Sequence, residues 1–152
     1  GNGRRIVRAL EVIELTGQPF SATLPSYDKL HYANTVQIGL ELPYDVLDKR
    51  IDKRVERMLQ AGLLDEVRTL ADQGLREGIT ASRALGYREL LEHLDGQHPL
   101  PQAAMLVALN TRRFARRQQK WFRRDPRIRW IDATKPLEIQ LEQALAATTL
   151  EA

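Results

Sequence analysis

The sequence has no cysteine, which excludes disulfides and thiolate metal sites and fits a reducing compartment, with the cytoplasm as the expected location. It has three histidines, His31, His93 and His98; they share no metal-ligand spacing, so no metal site is expected in the chain. No stretch approaches the roughly 18 apolar residues of a membrane span, and no membrane association is expected. There is no Gly-x-x-x-x-Gly-Lys-Ser/Thr run and no other glycine-rich loop between a strand and a helix, so the chain carries no nucleotide cradle of its own. Ser-His-Asp and Cys-His chemistry have no local signature either. The chain opens Gly-Asn-Gly-Arg-Arg, without an initiator Met or an apolar signal core, and reads as a piece of something longer.

What is present is a globular composition, 43% hydrophobic and 28% charged over 152 residues, enough for one domain with a real core. The net charge of +3 hides a strong asymmetry. Between Arg112 and Arg129 stand nine Lys or Arg against one acid, Asp125, and a second basic knot is Arg4, Arg5 and Arg8.

Hydrophobic periodicity predicts a helix over 4–16, stopped by Gly17 and Pro19, then a loop or hinge over 17–34. Residues 35–42 alternate as a strand that Pro43 ends. Helices follow over 44–61, 63–73, 82–94, with Ser82 as its cap, and 101 to 123 or 124, opened by Pro101 and stopped before Asp125-Pro126. Residues 127–132 read as a short edge strand and 136–150 as a closing helix. The chain is thus mostly α-helical with two short strands. One strand cannot stand alone, so a sheet partner is implied.

Advancing the long helix by about 100° per residue gathers Arg112, Arg113, Arg116, Arg117, Lys120, Arg123 and Arg124 into an arc of roughly 140°. Such a rail repels itself unless something negative lies along it, and nucleic-acid phosphate is the first candidate. The alternative is a solvated face whose charges pair with acids elsewhere in the fold. Trp121 and Phe122 are able to stack on bases, but their phase on the apolar arc predicts core residues.

On the 44–61 helix, Arg54 falls at the rim of the apolar stripe. A guanidinium held there suits a fixed anion such as a diphosphate leaving group; the alternative is a side chain paired with Asp52, Asp65 or Glu66. Asp45, Asp48 and Asp52 on the same helix read as a solvated face. The run Arg83-Ala84-Leu85-Gly86-Tyr87-Arg88 combines two cations, a close-approach glycine and a stacking ring at a helix start whose early amides are able to receive phosphate. The alternative is that Gly86 permits tight packing and Tyr87 closes the core.

Taken in order, RRIVRALEVIELTGQP, LDKRIDKRVERML, SRALGYREL and TRRFARRQQKWFRRDPRIRWID resemble the successive landmarks of tRNA dimethylallyltransferases over nearly the whole chain. The resemblance implies an α/β parent with a P-loop-type core and a helical insertion clasping the anticodon arm. It implies transfer of a dimethylallyl group from its diphosphate to N6 of the adenosine 3′ to the anticodon, with magnesium, in a cytoplasmic monomer. Residues 1–16 then match the end of the insertion and 35–152 the C-terminal part of the core. Arg54 resembles the channel arginine facing the diphosphate. Asn2, Gly3, Arg4 and Arg5, the Arg83 to Arg88 run, Arg112 and Arg113 resemble tRNA contacts, as do Arg116, Arg117, Gln118, Gln119, Lys120, Trp121, Phe122 and Arg123. The chain departs from the usual pattern at Asn2-Gly3, commonly Asn-Asp, and at Gln119-Lys120, commonly an aliphatic-Thr pair. The family's phosphate loop, catalytic aspartate and magnesium ligands belong to a segment outside this sequence, so the piece alone is expected to be inactive. Two further readings stand beside this one: a stand-alone, non-catalytic RNA- or DNA-binding helical module, and a structural helical domain without a nucleic-acid partner.

Overall fold

The computed structural model describes residues 3–23, 32 and 35–149. The chain divides into two compact units, Gly1–Thr35 and Val36–Ala152. In the first, helix α1 (Gly3–Thr16) ends where Gly17 takes φ +65° and donates its amide to the Ile13 carbonyl at 2.9 Å. This is the left-handed C-terminal stop that glycine accommodates without strain. A short 3-10 turn, Phe20–Thr23, follows. No residue of α1 is buried, and its apolar stripe of Ile6, Leu10 and Ile13 lies exposed. Most of the expected hinge, with Asn2 and the end of the closing helix, lies outside the described residues.

The second unit runs β1 (Gln37–Glu41), α2 (Tyr44–Gln60), α3 (Leu63–Asp72), α4 (Tyr87–Leu94), α5 (Leu100–Phe122), β2 (Ile128–Asp132) and α6 (Leu137–Thr149). It is mostly helical with two short strands, as the sequence pattern predicts. The strands pair in parallel, Gly39 opposite Trp130, with helices α2 to α5 forming the crossover that parallel strands require. At Gly39 the Trp130 ring occupies the place of a side chain: a Cβ there would lie 2.7 Å from Trp130 Cε3. The pair leaves apolar surface open, with Leu40 63% exposed.

Two apolar clusters form the core. Ile51 and Val55 of α2 meet Val107 and Ala108 of α5, while Val67, Leu90 and Leu91 of α3 and α4 meet Ala103. Leu59 packs against both, so α5 is the shared wall of one continuous helical core.

One boundary departs from the sequence pattern. The expected helix over 82–94 begins only at Tyr87, because residues 75–77 and 81–83 are separate 3-10 turns. Ser82 is not its cap: the hydroxyl donates back to the Gly78 carbonyl, closing the turn instead. The residue before the helix is Gly86, at φ +94°, a region other side chains rarely enter. Among the described residues no helix is long and apolar enough to cross a membrane.

Leu90 is fully buried, so Leu90→Ala is expected to cost about 2–5 kcal/mol in denaturant unfolding, whereas Met105→Ala, at a 72% exposed position, stays within about 0.5 kcal/mol. A second expectation concerns the turn after α5. Asp125 is held below its ordinary 3.8, first by the side-chain hydrogen bonds from Arg127. A depressed carboxyl contributes its stability above the ordinary value and loses it as pH falls below. Asp125→Asn should therefore lower the melting temperature at pH 6, and the gap from the parent protein should close as the solution is acidified below 3.8.

Candidate nucleic-acid interface

The arc of cations on α5 resolves into two adjacent rows. Arg112, Arg116, Gln119 and Arg123 form an inner row that meets α2 and the end of β1. Arg112 pairs with Asp52, and Arg116 Nη2 donates to Asp48 Oδ2 at 2.8 Å while lying 4.9 Å over the Tyr44 ring. The Asp48 hydrogen bond holds the Arg116 guanidinium above its ordinary range. Gln119 Nε2 donates to Glu41 at 3.3 Å; Arg123 pairs with Glu41 and lies 5.7 Å from the centre of the Trp130 ring. As the numbering climbs along α5 it falls from Asp52 through Asp48 to Glu41, so the contacts form a ladder.

For three of the rail's seven charges, Arg112, Arg116 and Arg123, the structure shows acidic partners within the protein, the alternative that the sequence pattern left open. Asp48 and Asp52 are likewise rungs of the ladder and not merely a solvated face. The sequence hint was available in two matched pairs at one-turn spacing, 48-52 and 112-116, opposite in charge.

The outer row is Arg113, Arg117, Lys120 and Arg124. All four are exposed, and none of their side chains has a hydrogen bond or ion pair among the described residues. Arg124 alone makes a ring contact, 5.9 Å from the centre of Trp121. Trp121 and Phe122 are not core residues: they are 65% and 44% exposed. Their apolar phase is correct, but the buried residues of α5 are Ala103, Val107 and Ala108, in its first half. Gln118 is exposed on the same stretch.

Arg54 is exposed on α2 and has no hydrogen bond or ion pair among the described residues. Each acid that could have claimed it is engaged elsewhere: Asp52 by Arg112, Asp65 by Arg68, and Glu66 by the Tyr87 hydroxyl. Arg50, one turn earlier, lines a groove of about 770 Å³ between the strand pair and α2 and α5, together with Leu47, Gln119, Phe122 and Trp130.

The Arg83 to Arg88 run begins at the last residue of the 81–83 3-10 turn and ends on the first two residues of α4. Arg83, Ala84 and Leu85 are exposed, and Arg88 pairs with Glu92 at 3.2 Å. Tyr87 sits half-buried against the second apolar cluster and donates its hydroxyl to Glu66, which raises its ionisation above the ordinary value. Three amides at the start of α4, those of Gly86, Tyr87 and Arg88, already have acceptors within the protein. Gly86 N–H donates to Glu89 Oε2 at 2.9 Å, and the Tyr87 and Arg88 amides both donate to the Ala84 carbonyl at 3.1 Å. Sequence reasoning missed Glu89, only 2% exposed, whose second oxygen accepts from Asn110 Nδ2 of α5 at 2.7 Å. A glutamate three residues after a helix's first boundary residue is the signal that would have found it.

Gly3, Arg4 and Arg5 lie exposed on the first turns of α1; Asn2 is outside the described residues. No group of three acids or histidines able to hold a metal ion occurs among the described residues. The acids nearest the basic helix are already spent on arginines, so the residues present do not fit a magnesium site.

The family description "IPP transferase" matches residues 1–125. The tRNA dimethylallyltransferase of Kineococcus radiotolerans is 57% identical over 142 residues, covering 91% of this chain and 44% of that protein. The one from Cutibacterium acnes is 53% identical over 152 residues, covering 100% of this chain and 46% of that protein. Among solved structures, the full-length tRNA isopentenylpyrophosphate transferase of Bacillus halodurans superposes with a TM-score of 0.73 at 34% identity, over 99% of this chain and 46% of that one. The chain thus spans less than half the length of these relatives. With the motifs matched in order and the fold shared, the chain belongs to the IPP transferase family.

Proposed function

We propose that this chain is the RNA-gripping part of an enzyme that moves a dimethylallyl group from its diphosphate to N6 of the adenosine 3′ to the anticodon. The observation that carries the reading is the outer row of α5. Four exposed cations, left over after an intramolecular ladder has taken its share, have no acidic partner among the described residues. Phosphates along an anticodon arm would supply the counter-charge, and their binding would release condensed ions. Arg83 of the preceding turn adds a further exposed cation, and Trp121 offers a face beside Arg124; α1 separately carries the exposed Arg4 and Arg5.

In the reaction, N6 attacks the allylic carbon as the carbon–oxygen bond to the diphosphate breaks; pyrophosphate leaves and N6 gives up a proton. Arg54 is the residue here suited to that departure. An exposed guanidinium with no ion pair among the described residues is available to stabilise charge as it develops on the leaving oxygens. The parent is an α/β protein with a P-loop-type core, and the open β1–β2 pair is where its sheet would continue. The base, the phosphate loop and the ligands for magnesium belong to residues outside those described.

Arg113→Ala with Arg117→Ala, in the intact protein, should weaken binding of an anticodon stem-loop across sequences and reduce the slope of log affinity against log salt by about 2, with melting unchanged. Arg112→Ala with Arg116→Ala should do the reverse, lowering the melting temperature first. An unchanged salt slope in the outer-row variant would remove the row from the interface. For Arg54→Ala, turnover should fall on the order of 10²–10³-fold while RNA affinity holds; unaltered turnover would take Arg54 out of the chemistry.

A further inference from the structure

Glu89 is the one buried charged residue among those described, and none of its contacts is with a cation. A carboxylate in such a place costs free energy unless its oxygens are satisfied. Here each oxygen has a neutral donor on a different element: the Gly86 amide at 2.9 Å and the Asn110 amide at 2.7 Å. The first bond closes the start of α4. The second leaves α4 altogether and reaches α5.

Where it lands on α5 is informative. Asn110, Arg113, Arg117, Lys120 and Arg124 are spaced three, four, three and four residues apart, which keeps them on one strip of a helix. Asn110 is therefore the head of the outer cationic row. At the other end of the tie, Gly86 is the buried residue of the Arg83 to Arg88 run, and its backbone packs close to Val107, one turn before Asn110; a Cβ on Gly86 would sit 3.8 Å from Val107 Cγ1.

We propose that Glu89 and Asn110 are positioning residues for RNA capture: the shared carboxylate fixes the Arg83 to Arg88 turn against the head of the outer row, so that both grip one RNA as a single rigid unit. The proposal rests on the RNA-binding reading above. Neither residue touches RNA. Their contribution is to hold two charged segments at a set spacing before the ligand arrives, since charges already in place lose less freedom on binding.

Asn110→Ala separates this role from simple helix capping, because it leaves the Gly86 to Glu89 bond intact and cuts only the link to α5. In the intact protein, the dissociation constant and KM for an anticodon stem-loop should rise on the order of tenfold to hundredfold, with KM for the diphosphate substrate unchanged. In an Arg83→Ala background the same change should cost much less, since one of the two segments being aligned no longer contributes. If Asn110→Ala melts below the assay temperature, Asn110→Ser carries the same expectations. Stem-loop affinity within twofold of the parent overturns the proposal, and so does a loss that is fully additive with Arg83→Ala or that affects both substrates alike. Parent protein that fails to bind the stem-loop overturns the RNA reading itself, whereas a parent that binds beside an unaffected Asn110→Ala variant overturns only the tie.

Discussion

A helix with seven cations crowded into one arc repels itself and resists packing against a protein. The fold meets that constraint by pairing three of the seven with its own acids. Asp52, Asp48 and Glu41 neutralise the inner row of α5, which lets Val107 and Ala108 close on Ile51 and Val55. These pairs are partly exposed, so their individual worth is small. Their collective effect is orientation: they fix the rotation of α5 about its axis, and with it the direction in which the remaining charges point. The basic surface is as much a product of the acids behind it as of the arginines in front.

The same logic separates what could be read in the sequence from what could not. Helices α1, α2, α3 and α5 follow from apolar spacing, and the two strands from alternation bounded by proline, because these signals are local. The start of α4 was misplaced since Ser82 resembles a cap, whereas the chain turns twice in 3-10 geometry and begins the helix behind a left-handed glycine. The division of the basic arc was out of reach of one-helix periodicity; Asp48 lies 68 residues from Arg116 and only tertiary packing joins them. Trp121 and Phe122 show the opposite failure, for a residue can have the phase of a core position and still find no partner where its helix outruns the bundle.

Arg54 and the Arg83 to Arg88 run illustrate how a site is specified by what its neighbours are already doing. Arg54 gains its interest from three acids that are each committed to someone else. The turn before α4 has its Arg83, Ala84 and Gly86 amides filled, so its charge for a polyanion comes from the guanidinium of Arg83. Tyr87, anchored through its hydroxyl to Glu66, is a strut with one ring edge in the core.

The pairing of neighbours in the text of α5, Arg112 with Arg113, Arg116 with Arg117, Gln119 with Lys120 and Arg123 with Arg124, has a further consequence. Within each couplet the first residue is turned inward and the second outward, so structure and recognition are interleaved letter by letter. Inserting a single residue after Asn110 would rotate everything downstream by about 100°, sending the braced guanidiniums into solvent and swinging their idle twins away from the surface they serve. The couplets make this stretch intolerant of length change even where it would forgive a change of letter.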